Sequence, residues 1–154
     1  MMKASLIYFF ISLLAGASGF AQHQGPGPVK WRYSATKLDD KTWEIHLTAS
    51  IDKGWHIYSQ YQPKEAIAIP TKIRISKNPL IVSCGQINEV GNKEKQTIKE
   101  LDIVQFQYTD QVDFVQRVIL KANVQTSIAG TVTFQVCTDE QCLPPKEEAF
   151  SLSL

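Results

Sequence analysis

The sequence predicts an all-β chain folded as a sandwich of about seven to nine short strands. Three observations carry this. Apolar and polar residues alternate with a period of two in several segments, turn-forming residues recur at short intervals, and no segment has convincing long-helix periodicity. In Trp43–Ile51 the apolar set Trp43, Ile45, Leu47, Ala49 and Ile51 alternates with Glu44, His46, Thr48 and Ser50, which describes a half-buried strand.

The elements follow in order. Met1 to Ala21 reads as a secretory signal peptide: Lys3 gives the positive start, Ala4–Leu14 the apolar run, and Gly19 and Ala21 the small residues before a cut at Gln22. The run is about ten residues, half of what a spanning helix needs. Residues 22–28 (QHQGPGP) form a flexible lead-in, and the β pattern starts at Val29. After the strand ending at Ile51, Asp52-Lys53-Gly54 signals a turn and Trp55–Ser59 resumes extended chain. Pro63 and Pro70 make the following region a loop. Thr71–Ser76 and Leu80–Cys84 are strands around Asn78-Pro79. Asn88–Glu100 is polar, and although a short helix is an alternative, Gly91 and weak apolar periodicity favour a mobile loop. Val104–Tyr108 and Val112–Lys121 are expected as two strands around Thr109-Asp110-Gln111. Ser127–Cys137 and Ala149–Leu154 complete the set.

Removing the first 21 of 154 residues leaves 133, one domain's worth, spanning 29–154 after the lead-in. Lys3 is the only charge lost, so the mature chain has 15 basic and 15 acidic residues. Without a basic excess, a nucleic-acid partner is not expected. No later stretch is apolar enough to insert in a membrane, so the mature domain is expected to be soluble.

Chemistry concentrates at the cysteines. Export to a periplasm-like compartment lets disulfides persist. Of Cys84, Cys137 and Cys142, the last two stand at the ends of a four-residue loop, Thr138-Asp139-Glu140-Gln141, and form the obvious bond. Cys84 is left as a thiol expected to be buried like a small hydrophobe. Closing so short a loop contributes only about 2 kcal/mol, against about 4 kcal/mol for a Cys84–Cys137 bond. Cys137 shares strand parity with Thr131, Thr133 and Gln135, opposite Val132, Phe134 and Val136, which predicts partial access. Small loop gain, access and compartment favour thiol–disulfide exchange. Spacing alone favours a structural staple, which keeps a second reading open: an exported protein-binding sandwich whose Cys137–Cys142 disulfide only stabilises. A zinc site lacks further ligands, no cofactor is implied, and His23, His46 and His56 show no hydrolase arrangement. Asp139 and Glu140 would raise neighbouring thiol pKa values, so the pair fits better as a disulfide attacked by another protein's thiolate.

Two segments, Gly54-Trp55-His56-Ile57-Tyr58-Ser59 and Val136-Cys137-Thr138-Asp139-Glu140-Gln141-Cys142-Leu143-Pro144-Pro145, resemble the N-terminal periplasmic domain of the thiol:disulfide interchange protein DsbD. The resemblance covers about Val29 to Leu154. It implies an immunoglobulin-like β-sandwich and an electron relay in which Cys137 and Cys142 are the redox residues. Cys142 would be the one that forms mixed disulfides. It also places His56 and Tyr58 beside the pair, and matches Val90–Ile98 to a cap over the disulfide, here without a shielding aromatic residue. Thioredoxin-like redox proteins are the implied partners, with disulfide isomerases and cytochrome c maturation thioredoxins among the clients. The membrane electron conduit and thioredoxin domain of full-length DsbD are not in this sequence, so a separate membrane protein is the expected electron donor. Whether the exchange amounts to protein-disulfide reductase activity is left open by the residues.

Overall fold

A computed structural model describes residues 27–154; the signal-peptide reading of 1–21 and most of the lead-in lie outside the described residues. Nine strands are present among them: β1 (Val29–Lys37), β2 (Thr42–Ile51), β3 (His56–Tyr58), β4 (Lys72–Ile75), β5 (Ile81–Ile98), β6 (Ile103–Leu120), β7 (Ser127–Phe134), β8 (Val136–Cys137) and β9 (Lys146–Ser153). One sheet has the order β1-β2-β6-β3-β8, with β5 also paired to β6, and the other has the order β4-β7-β9. The fold is the expected immunoglobulin-like sandwich. Among the described residues no helix is long and apolar enough to cross a membrane.

The core lies where the alternation placed it. Ile45, Leu47 and Ala49 of β2 are fully buried with Val112, Phe114 and Val118 of β6 and Ile128, Val132 and Phe134 of β7. Trp31 of β1 bridges the sheets, its ring centroid 5.8 Å from Phe114 and 5.2 Å from Phe134. Aromatic pairs at this spacing add to the area they bury. The Asp52-Lys53-Gly54 turn forms as expected, with Trp55 N–H donating to Asp52 C=O at 3.0 Å and Gly54 at φ +83°, a backbone region that glycine enters without strain.

Two expectations are corrected. Asn88–Glu100 is not a mobile loop: through Ile98 it belongs to the 18-residue strand β5, which pairs antiparallel with β6 from Ile81↔Leu120 to Ile98↔Ile103. Its polar residues belong to a strand whose outer edge is open, so polarity there reported exposure rather than irregularity. Gly91, taken as a loop signal, sits where chains approach closely; a Cβ there would lie 2.9 Å from the Gln111 carbonyl oxygen and 3.3 Å from the Tyr108 ring. The second correction concerns Thr109-Asp110-Gln111, which does not separate two strands. It is an irregularity within β6, with Asp110 at φ +59° and the β5 register shifting between Gly91 and Lys93. Bulges of this kind bend a strand and re-aim it. Residues 111–119 of β6 pair with β2, whereas Gln107 and Tyr108 pair with β3. The bend thus hands β6 from the core sheet's centre to the strand that carries His56 and Tyr58.

Candidate functional site

Cys137 ends β8, the strand reached when the chain leaves one sheet at Phe134 and joins the other at Val136. Val136 pairs with Ile57 and faces the core, so Cys137 and its partner His56 take the opposite face. On the other side Cys142 stands directly across from Cys137. Thr138 N–H donates to Gln141 C=O and Leu143 N–H to Val136 C=O, each at 2.8 Å. These two bonds flank Cys137 and Cys142, which makes them a non-hydrogen-bonded antiparallel pair, the position where facing side chains come closest. That accounts for the Cα–Cα distance of 4.0 Å across their disulfide. The Thr138 hydroxyl accepts from the Glu140 and Gln141 amides at 3.2 and 3.1 Å, tying the loop to its own backbone. Gln135 Nε2 donates to Leu143 C=O at 3.1 Å and steadies the exit into Pro144-Pro145.

The two sulfur-bearing residues differ sharply in access. Cys137 is 0 % exposed, whereas Cys142 is exposed. Strand parity assigned Cys137 to the correct face, but the expected partial access is corrected: the residue is flanked by His56 on one side and by Cys142 on the other. Access belongs to Cys142. It lines an open cleft of about 390 Å³ with the loop residues Asp139 and Glu140, Ile67 and Ala68 from the segment after β3, and Gln96 of β5.

Beneath the cleft lies a polar patch. His56 and Tyr58 are 3 % and 6 % exposed, with His56 Nε2 3.3 Å from the Tyr58 hydroxyl and their rings edge to face. Tyr58 pairs with Gln107, and Gln107 and Gln105 pair in turn with Glu94 and Gln96 of β5. Gln105 and Gln107 are buried, with Gln105 Nε2 donating to Gln96 Oε1 at 2.7 Å. Burial pushes the His56 pKa down, although the Asp139 and Glu94 carboxylates oppose it, so the imidazole is held neutral. Burial likewise raises the Tyr58 hydroxyl.

The structure therefore brings together all four expected residues, Cys137, Cys142, His56 and Tyr58. The stretch matched to a cap supplies Gln96 and Ile98 to one wall of the cleft from a strand, and none of its residues is aromatic. Cys84 departs from expectation. It is half-buried rather than buried, on β5 away from the disulfide, because its strand lies at the sheet's outer edge. Missed from the sequence were Gln105 and Gln107, whose alternation with Val104, Phe106 and Tyr108 was visible but gave no sign that the polar side would also be covered. Glu89 was missed as well. Its carboxylate accepts from Ser59 Oγ and Gln60 N–H, both at 2.6 Å, from Tyr108 Oη and from Lys93 Nζ, both at 2.8 Å. It anchors the start of the segment that carries Ile67 and Ala68 to the cleft.

The family model for the N-terminal region of thiol:disulfide interchange protein DsbD matches residues 26–154. No curated protein matches the chain. Among solved structures, the reduced DsbD N-terminal domain of Neisseria meningitidis is similar with 14 % identity, over 80 % of this chain and 84 % of that one, at a TM-score of 0.51. The N-terminal periplasmic domain of ScsB from Proteus mirabilis shares 15 % identity over 84 % of this chain and 47 % of that one, at 0.56. A Neisseria meningitidis complex between the DsbD and PilB N-terminal domains matches with 16 % identity over 79 % of this chain and 80 % of that one, at 0.50. At these identities the likeness is one of fold.

Proposed function

This chain belongs to the family of DsbD N-terminal domains, and from that premise we propose that it is an exported electron-relay domain that exchanges its Cys137–Cys142 disulfide with thioredoxin-like proteins. The observation that carries the reading is the asymmetry of the disulfide. A partner thiolate must approach one sulfur in line while the other departs. Cys142 opens onto a cleft and Cys137 is enclosed. The attacking sulfur joins Cys142, the Cys137–Cys142 bond breaks, and Cys137 leaves with the electron pair. A second thiol of the partner then releases reduced Cys142. The reduced pair passes the two electrons to a client disulfide by the reverse sequence. The solved pairing of a DsbD N-terminal domain with a PilB N-terminal domain supports a protein as the exchange partner. The signal-peptide pattern of residues 1–21 supports a periplasmic setting.

The test is a redox titration of residues 22–154 against glutathione and dithiothreitol buffers, with thiols trapped by alkylation and counted by mass spectrometry. A relay requires Cys137 and Cys142 to titrate together at a potential above about −300 mV, the region below which structural disulfides typically lie. A bond that stays closed under those buffers would mean a staple in a protein-binding sandwich.

A further inference from the structure

Resting on the exchange reading above, the geometry points to His56 as the general base that removes the Cys137 thiol proton when the disulfide re-forms. Three observations lead there. First, His56 and Cys137 are directly paired across the β3–β8 ladder, with their side chains on the sheet face turned from the core. Facing residues in such a pair have Cβ atoms about 4.5–5.5 Å apart, within reach of a ring and a thiol. Second, Cys137 is fully enclosed and His56 is 3 % exposed. Burial raises a thiol pKa, so a reduced Cys137 holds its proton where bulk water cannot collect it. Third, the ring is oriented by the Tyr58 hydroxyl on Nε2, and among the described residues no hydrogen bond is made to Nδ1.

The surroundings suit a base. The groups facing His56 are Tyr58 on its own strand, Cys137 of β8, and the carboxylates of Glu94 of β5 and Asp139 of the loop, while Gln107 of β6 lies opposite Tyr58. Burial keeps the resting imidazole in its proton-accepting form, and the carboxylates of Asp139 and Glu94 favour the imidazolium once it forms. The step balances as follows. After Cys142 has joined a client sulfur, the Cys137 proton passes to the His56 ring. The Cys137 electron pair forms the bond to Cys142 Sγ, and the bond between Cys142 and the client breaks. The client sulfur leaves as a thiolate, and His56 loses the proton to solvent. In the opposite direction the imidazolium protonates the departing Cys137 sulfur.

The experiment uses residues 22–154 in a Cys84→Ser background that is otherwise wild type, which leaves Cys137 and Cys142 as the two thiols, reduced and mixed with excess 5,5′-dithiobis(2-nitrobenzoate) in a stopped-flow instrument. The first thionitrobenzoate released reports attack by Cys142. The second, a unimolecular release independent of reagent concentration, reports resolution by Cys137. For the wild-type protein the second rate is expected to level off above a pKa below that of ordinary histidine, about 6.5. His56→Gln is expected to lower the ratio of second to first rate by about 10²-fold, the lower end of general-base effects. It is also expected to lose the plateau, its rate climbing with pH towards the thiol's own pKa. A wild-type second rate that climbs tenfold per pH unit to about 8.5, the ordinary thiol value, overturns the assignment without any variant. So does a folded His56→Gln protein that keeps the wild-type rate and plateau. Release of a single equivalent by wild type would instead overturn the exchange reading, and this assignment with it.

Discussion

Glu89 holds Ser59, thirty residues away in the chain, through a 2.6 Å hydrogen bond from the serine hydroxyl to a carboxylate whose side chain is 2 % exposed. Burial alone would raise the Glu89 pKa, but Lys93, the Ser59 hydroxyl, the Gln60 amide and the Tyr108 hydroxyl together bring it below the usual carboxylate value. The ionised form is thus favoured by folding. Its contribution to stability is complete above the unfolded-state pKa, near 4.5, and is lost as pH falls through the lower folded value. Urea unfolding of wild type is expected to show a drop in stability from about pH 4.5 downward that is smaller in Glu89→Gln.

Glu89→Ala removes the common acceptor of four donors and leaves a buried hydroxyl and amide unmatched. A loss of about 2–4 kcal/mol at neutral pH is expected in the same urea experiment. The segment bearing Ile67 and Ala68 is anchored at its start by this carboxylate, so hydrogen exchange of residues 59–70 is expected to accelerate as well. Unchanged exchange there would mean that the segment is held by its other bonds, such as those of Gln62 to Phe106.

The access difference between the cysteines gives a prediction for single variants. In Cys137→Ser the remaining Cys142 thiol is exposed, and iodoacetamide is expected to modify it readily. In Cys142→Ser the remaining Cys137 is enclosed, and its modification is expected to be slower by at least about tenfold. Equal rates by mass spectrometry would contradict the burial of Cys137.

Removing both thiols is expected to be mild. The six-residue closed loop accounts for only about 2 kcal/mol, and the sandwich core does not include the pair. The double Ser variant is expected to unfold cooperatively at a modestly lower temperature in calorimetry while losing all exchange activity.

Asp139 and Glu140 are exposed beside Cys142 at the cleft. Like charges slow the approach of an anionic thiolate, and salt screens them. Reduction of the wild-type disulfide by glutathione is expected to quicken as ionic strength rises. In Asp139→Asn/Glu140→Gln the rate at low salt is expected to be about 2–10-fold higher and nearly independent of salt. A salt response that survives in the variant would place the responsible charges elsewhere.

Much of this fold was legible because alternation reports directly on burial. Ile45, Leu47 and Ala49, and likewise Val132 and Phe134, are core residues by parity and by structure. The cysteine pair was legible through its spacing, and His56 with Tyr58 through the segment around them. Legibility failed where exposure and irregularity look alike. The polar run Asn88–Ile98 carries the composition of a loop, yet β6 supplies a partner along nearly its whole length. Asp110 looks like a turn because it adopts a turn residue's backbone, but the strand continues through it. Parity told which way Cys137 points and not what would cover it. That depends on β3 and on the return of Cys142, pairings that no local pattern encodes.

One exposed sulfur would also set how traffic through the proposed relay is organised. In that relay, electron donor and electron acceptor share the same doorway at Cys142, so they cannot be engaged together, and each visit ends before the next begins. The expected steady-state pattern is ping-pong, with parallel lines when one partner is varied at several fixed levels of the other. An excess of either partner then becomes an obstacle, because whichever protein crowds the doorway delays its counterpart. The ratio of the two partners, more than the abundance of the domain, would govern the flow of electrons.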